Sequence, residues 1–214
     1  MKDGRQDRRA LISGLGAAAA AVALGSSGTR AQTKAPFAPA RHAQDAWLDE
    51  LPGKHRVFID SVSGNGASDA LLYAGNLFTA NKAGYGLDDG DLAIVVCFRH
   101  LSTSFAFGDA MWAKYGKPLA EAARYTSSGG ANPPAANPQQ KSIDALAKRG
   151  VQFAVCDMAT HRVAGQIATA VGATADAIYK EITANAAPNS HFVAAGVVGA
   201  TRAQEYGYSL LVAG

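Results

Sequence analysis

The chain has 214 residues, of which 48% are hydrophobic and 17% charged, and its formal net charge is +3. The first 31 residues alone carry that excess, with basic Lys2, Arg5, Arg8, Arg9 and Arg30 against acidic Asp3 and Asp7. The remaining chain is formally neutral and has no electrostatic attraction for a polyanion, which excludes nucleic acid as an expected partner.

Residues 1–31 are predicted to be an export signal. Arg8 and Arg9 precede an apolar stretch at 10–24, and the segment 29–31 places small residues where a signal peptidase needs them. The paired arginines and the Ala- and Gly-rich apolar stretch favour the twin-arginine route. An ordinary Sec signal and an uncleaved anchor are the alternatives, but a spanning helix needs about 20 apolar residues. We therefore expect a periplasmic protein that is soluble after cleavage.

Residues 32–54 are predicted to form a tether and a short helix at 43–51, followed by one α/β domain over 55–214. The uninterrupted apolar runs at 92–98 and 151–156 are typical of strands buried on both faces of a parallel sheet. One helix is expected to start from a cap at Ser68. Further helices are expected at 104–115, 142–148, 159–186 with a break near Gly172, and 197–206. Three further strands are expected at 56–60, 191–195 and 208–212, with loops at 61–67 and 125–140. This alternation predicts an open, mainly parallel five-stranded sheet.

Ligands of an open parallel sheet bind beyond the carboxyl ends of its strands. Three polar segments end there, at 61–66, 97–103 and 156–161. The first contains Gly64-Asn65-Gly66, which is either a turn that needs glycine or a helix start that presents N–H groups to an anion. These three segments form the candidate site.

Cys156 closes a predicted strand and precedes a predicted helix. A thiol at a helix N-terminus is nucleophilic, because the free N–H groups there stabilise its thiolate. The alternative is a buried, inert cysteine, since free cysteines are among the most buried residues. Cys97 lies inside its strand, which favours a core position. A disulfide between the two requires neighbouring strands, and adjacent parallel strands rarely offer its geometry.

Two histidines accompany the cysteines in these segments. His100 follows a predicted strand, where an imidazole accepts a proton, binds a metal or hydrogen-bonds to its own loop. His161 lies five residues after Cys156 and is either a second proton acceptor or a solvated helix residue. With Cys97 and Met158 these side chains form a soft ligand set that copper accepts, but their spacing matches no strong metal motif. We therefore assign no metal and no cofactor.

Residues 146–214 resemble the DsrE/DsrF-like family of small sulfur-relay proteins. The resemblance lies in Leu-Ala-Lys-Arg-Gly-Val at 146–151, Val-Cys at 155–156, Ala-Gly-Val-Val at 195–198 and Arg-Ala-Gln-Glu-Tyr-Gly-Tyr at 202–208. The segment 99–116 resembles exported members of the same family. The resemblance implies a three-layer α/β/α fold with a mainly parallel five-stranded sheet, and an oligomer, which we expect to be a homo-oligomer.

In sulfur-relay members of that family a cysteine carries a persulfide and passes it to a partner, and Cys156 matches that position. The expected function is therefore exported sulfur carriage through Cys156, with His100 or His161 assisting proton transfer. The expected partner is a small sulfur-containing donor or an acceptor protein. The alternatives are a non-catalytic, oligomeric module that binds a small ligand or a metal, and an interaction protein whose cleft is vestigial.

The twin arginines allow a direct test of the export route. Replacing both, Arg8→Lys with Arg9→Lys, should trap the precursor in the cytoplasm, because the twin-arginine route requires the pair. Cell fractionation followed by immunoblotting measures the precursor and the cleaved form. Arg5→Lys is the matched control and should leave export unchanged. Normal export of the double variant would contradict the twin-arginine route.

Overall fold

A computed structural model describes residues 38–127 and 133–214 of the chain. The predicted export signal at 1–31 and the first part of the predicted tether lie outside the described residues. Within the described ranges, no helix has both the length and the apolar character needed to cross a bilayer.

Five strands form one all-parallel sheet, as the sequence predicts. They are β1 (His55–Ser61), β2 (Leu92–Phe98), β3 (Gln152–Cys156), β4 (Ser190–Val193) and β5 (Ser209–Ala213). Their order across the sheet is β4-β3-β2-β1-β5, with every neighbouring pair parallel. The two apolar runs are therefore interior strands: all seven residues of β2 are buried, and so are the last four of β3. This confirms the prediction that both are covered on both faces.

Helices connect the strands and cover the sheet. Those of the described residues are α1 (Trp47–Glu50), α2 (Gly64–Tyr85), α3 (Asp109–Ala123), α4 (Gln140–Ala147), α5 (Asp157–Val171), α6 (Ala175–Ala184) and α7 (Gly196–Glu205). Short 3-10 turns lie at Ala43–Asp45, Asp89–Asp91 and His100–Ala106. The predicted break near Gly172 is confirmed, since α5 ends at this residue with φ 70°.

The two faces of the sheet carry cores of unequal size. On one face, Val96 and Phe98 of β2 and Phe153 of β3 belong to the large core that includes buried residues of α2, α3 and α5. On the other face, Phe58, Cys97 and Ala154 pack with residues of α1 and α7, among them Leu48 and Ala203. The fold is thus a three-layer α/β/α sandwich, as expected, and both cysteine-bearing strands lie at its centre.

The start of α2 differs from the prediction. The helix begins at Gly64 and is capped by Ser63, whose Oγ accepts a hydrogen bond from the Gly66 N–H at 2.9 Å, so the cap expected at Ser68 was wrong. A Cβ on Gly66 would lie 2.7 Å from the Ala213 carbonyl oxygen. The glycine is therefore needed for close approach of the last strand, and it lies inside the first helical turn instead of in a loop.

The helix expected at 104–115 was also misplaced. Residues His100–Ala106 form a 3-10 turn, and α3 begins only at Asp109. It then continues past 115 as two helical segments joined by a kink at Tyr115, with Pro118 just beyond the kink. A proline is tolerated in the first turn of a helical segment, where its missing N–H is not required, which explains why Pro118 does not end the helix.

Asn137 fixes the segment that leads from the 3-10 turn into α3. Its side chain is buried, and Nδ2 donates to the carbonyl oxygens of Phe105 and Phe107 at 2.8 and 2.9 Å. Its own N–H donates to Asp109 Oδ1 at 2.8 Å, next to the start of α3. One side chain thus satisfies two buried carbonyls that no regular element supplies with a partner.

Asn137→Ala should lower the free energy of unfolding by about 1–3 kcal/mol, because it leaves these buried carbonyl groups without donors. Urea unfolding followed by circular dichroism measures the change. Asn185→Ala is the matched control: the Asn185 side chain is exposed and bonds only to a carbonyl of its own helix, so its loss should cost much less. Equal losses from the two variants would contradict the role assigned to Asn137.

Candidate functional site

The carboxyl ends of the strands bring the predicted segments to one edge of the sheet, here called the carboxyl edge. Strand register pairs Asp60 of β1 with Cys97 of β2, and Cys97 in turn with Ala154 of β3. Cys156 lies two residues after Ala154 and pairs with Val193 of β4. Because side chains alternate between the faces of a strand, Asp60, Cys97 and Cys156 all point to the face covered by α7.

Cys156 is the last residue of β3 and the N-cap of α5, as the sequence predicts. Its side chain is 7% exposed and packs with Ala159 of α5 and with Ala195, the N-cap of α7. Its sulfur accepts no capping hydrogen bond from the first turn of α5. The Cys156 side chain therefore lies between the N-termini of α5 and α7, and its partners in this apolar cluster are two alanines.

Cys97 is a core residue. It is fully buried between β2 and α7, and this burial, together with the nearby carboxylate of Asp60, raises the pKa of its thiol well above the ordinary range. A thiol that stays protonated in an apolar site is a poor nucleophile. Although β2 and β3 are neighbours, Cys97 and Cys156 are both free thiols.

A buried ion pair at the carboxyl edge was not found by the sequence reasoning. Arg99 donates from Nε to Asp60 Oδ1 and from Nη2 to Asp60 Oδ2, both at 2.7 Å. The Asp60 side chain is 7% exposed, and that of Arg99 is 24% exposed. The hydrogen bonds to Asp60 raise the pKa of Arg99. Removing one partner of such a pair costs about 3–5 kcal/mol, because the other charge is left without compensation.

Buried hydroxyl groups hold the backbone that carries Arg99. Ser61 Oγ donates to the Cys97 carbonyl oxygen at 2.6 Å, and the Arg99 N–H donates to Ser102 Oγ at 2.9 Å. Ser102 Oγ also lies 2.9 Å from the Ser61 carbonyl oxygen, within reach to donate to it. The turn after β2 is therefore hydrogen-bonded to the end of β1, which fixes the position of the Arg99 backbone.

The aliphatic stem of Arg99 lies across the start of α7. A Cβ on Gly196 would be 2.4 Å from Cβ and 2.8 Å from Cδ of Arg99, closer than two non-bonded carbon atoms can approach. Gly196 immediately follows Ala195, which itself packs against Cys156. The absence of a side chain at Gly196 thus leaves the space at the start of α7 that the Arg99 stem occupies.

His100 lies beside this site, and its hydrogen bond to α5 is made by its backbone. The residue is exposed and has φ 55°. Its carbonyl oxygen accepts a hydrogen bond from Arg162 Nη2 on α5 at 3.0 Å. Among the described residues, its imidazole forms no hydrogen bond, either with Cys156 or with another group. Its predicted part in proton transfer stays a prediction.

His161 belongs to a cluster on the outer side of α5. Its Nε2 lies 3.5 Å from Asp157 Oδ2, and its ring stacks on Tyr179 of α6 with the ring centroids 4.1 Å apart. The Tyr179 hydroxyl donates to Asp157 Oδ1 at 2.7 Å, which raises the pKa of Tyr179 to about 12. Asp157 follows Cys156 directly, so the cluster lies next to the thiol along the chain. No hydrogen bond within the described ranges joins His161 to Cys156.

The soft ligands noted in the sequence do not gather into a metal centre. Over residues 38–127 and 133–214, no three histidine, cysteine, aspartate or glutamate side chains lie close enough together to hold one ion. Cys97 is enclosed in the core, whereas His100 is exposed on the turn after β2. The carboxyl edge therefore offers a thiol and a paired guanidinium as its chemical groups.

Comparisons with known proteins give no family assignment. No protein-family model matches the chain, and no curated protein matches it significantly. The function is accordingly argued from the geometry of the carboxyl edge.

The two cysteines should differ in reactivity in the folded protein. Iodoacetamide should modify Cys156 well before Cys97, because Cys97 is fully enclosed and its thiol is held protonated. Peptide mass spectrometry over a time course measures both rates. Cys97→Ala should leave the fast modification in place, and Cys156→Ala should remove it. Modification of Cys97 first would contradict the assignment of Cys97 to the core.

Proposed function

We propose that this chain is an exported sulfur carrier of the DsrE/DsrF-like type, in which Cys156 holds sulfur as a persulfide. The observation that carries the proposal is the position of Cys156 at the end of an interior parallel strand and at the N-terminus of α5. Cys97 lacks that position, since it lies fully buried within β2. The three-layer parallel fold agrees with the resemblance found in the sequence.

The surroundings of Cys156 favour attack on a small sulfur donor. Ala159 and Ala195, the two residues in its apolar cluster, carry only methyl groups, so they shield the sulfur from a small donor less than larger side chains would. In the proposed step the thiolate forms a bond to the sulfane sulfur of the donor. The bond from that sulfur to the rest of the donor breaks, and its electron pair leaves with the donor remnant. Cys156 then carries a persulfide that an acceptor protein can remove.

His161 is the better placed of the two histidines for moving the thiol proton. It follows Cys156 by five residues on α5, and its Nε2 lies 3.5 Å from Asp157 Oδ2, which orients the ring. The exposed ring of His100 is the second candidate. Under this proposal either imidazole acts through water and not by direct contact with the sulfur.

A homo-oligomer is part of the same proposal, and the outer strand β5 supports it. Leu210, Leu211 and Val212 are 38%, 39% and 65% exposed on this edge strand. An edge strand with consecutive exposed apolar side chains and no charge is a surface that proteins usually cover. Light scattering on the cleaved protein reports the assembly directly.

A non-catalytic module that binds a small ligand is the second candidate, and one cavity favours it. A cavity of about 310 Å³ lies between the start of α2 and the end of α3, where Ser63, Asn65, Leu101, Arg124 and Tyr125 are among the lining residues. This volume is at the lower end of the range for small-molecule sites. A protein that binds a ligand there and takes up no sulfur would favour this candidate.

Sulfur loading tests the proposed carrier. Reduced protein incubated with polysulfide or thiosulfate should gain sulfur atoms on Cys156, which intact mass spectrometry detects as mass increments. Cys156→Ser should abolish the increment, since a hydroxyl does not form a persulfide, and Cys97→Ala should preserve most of it. A wild-type protein that gains no sulfur while Cys156 also resists alkylation would make this thiol a core residue and contradict the carrier function.

A further inference from the structure

The Asp60–Arg99 pair leaves one side of the guanidinium uncommitted. Nε and Nη2 of Arg99 both donate to the Asp60 carboxylate, which fixes the plane and direction of the group. Nη1 has no hydrogen-bond partner among the described residues, and the Arg99 side chain keeps 24% of its surface exposed. A guanidinium held in this way can still donate to a further anion.

The Arg99 side chain borders the residues that pack on Cys156. The stem of Arg99 lies on Gly196, and the residue before it, Ala195, packs on Cys156. These two contacts fall on consecutive residues, so Arg99 and Cys156 both border the start of α7. The N-caps of α5 and α7, Cys156 and Ala195, make no capping hydrogen bond, so the first N–H groups of both helices add positive potential.

We propose that Arg99, oriented by Asp60, is an anion-binding residue next to Cys156 and that it selects an anionic sulfur donor of the thiosulfate class. This inference rests on the proposed function for its chemistry, although the anion site itself does not. A guanidinium N–H donates to an oxygen of a sulfonate-like group in a charge-assisted hydrogen bond, which the uncommitted Nη1 can form in the orientation fixed by Asp60.

The transfer from thiosulfate balances without any further reagent. The Cys156 thiolate forms a bond to the outer sulfur of thiosulfate, and the sulfur–sulfur bond of the donor breaks. The electron pair of that bond leaves with sulfite, and Cys156 is left as a persulfide anion. Arg99 pairs with the oxygens of the departing sulfite, where negative charge develops during the transfer.

A purely structural role for the pair is the competing explanation, and the chain contains a control for it. Arg149 donates to Asp89 through Nε and Nη2 at 2.7 and 2.8 Å, with the same two-bond geometry. Asp89 precedes β2 and Arg149 precedes β3, so this pair lies at the amino edge of the sheet, away from Cys156. Variants of the two pairs can therefore be compared directly.

The test measures how Cys156 distinguishes a charged alkylating reagent from a neutral one. In a Cys97→Ala background, the rate with iodoacetate is divided by the rate with iodoacetamide, so that the thiolate fraction and the exposure of the sulfur cancel. Asp60→Asn combined with Arg99→Gln replaces the ion pair by two amides and leaves no lone buried charge. Because this double variant removes one negative and one positive charge, the ratio should fall by less than the roughly fivefold effect of a single unit charge at about 4 Å in water, through loss of the Nη1 donor.

Arg99→Lys, with Asp60 in place, keeps the charge and should retain most of the ratio of the parent protein. Asp89→Asn combined with Arg149→Gln should leave the ratio unchanged. An unchanged ratio in the Asp60/Arg99 double variant overturns the anion site. An equal fall in both double variants overturns it as well. Circular dichroism confirms that each variant is folded.

Sulfur loading separates this inference from the carrier function. The Asp60/Arg99 double variant should lose most of its loading from thiosulfate, and the Asp89/Arg149 double variant should keep it. Loading of wild type from polysulfide but not from thiosulfate overturns the donor class while the carrier function stands. A ratio that depends on Arg99 in a protein that takes up no sulfur from either donor supports the anion site and overturns the carrier function.

Discussion

All five strands run in the same direction, and so every turn that leaves a strand for its following helix lies at one edge of the sheet. A parallel sheet needs helices on both faces, so the central residues of its interior strands are apolar. Polar and reactive groups therefore concentrate near the ends of the strands and in the first turn after them. Asp60, Arg99 and Cys156 are such residues, and they come together although they lie far apart in the sequence.

The Asp60–Arg99 pair has two consequences that go beyond its own energy. A carboxylate as buried as that of Asp60 is acceptable only with a hydrogen-bonded cation beside it, so the two bonds to Asp60 hold the arginine in one orientation. An arginine that is already ordered loses little conformational entropy when it meets a ligand, which a mobile surface arginine would lose. The buried carboxylate thus preorganises the guanidinium for binding.

Local patterns predicted the features that depend on local physics. The apolar runs of β2 and β3 follow from burial on both faces, and the place of Cys156 at a strand end before a helix follows from the same alternation. The ion pair depends instead on register, because Asp60 and Arg99 are 39 residues apart and each is an ordinary polar residue at a strand end. The close approach of Gly66 to the distant strand β5 is likewise a contact between residues far apart in the sequence. Neither contact leaves a periodic signal in the sequence.

The close contact between Gly196 and the stem of Arg99 couples two positions that are almost a hundred residues apart. Even a methyl group at residue 196 would occupy the volume of the arginine stem, since its carbon would lie 2.4 Å from Arg99 Cβ. The closest clash is with Cβ, an atom that every residue except glycine carries, so position 196 must stay glycine for any side chain that follows the second strand. Asp60 and Arg99 are tied to each other instead, because a relative that loses the arginine leaves a buried carboxylate without its cation. Loss of the guanidinium in a relative of the same fold should therefore appear as a paired change at positions 60 and 99.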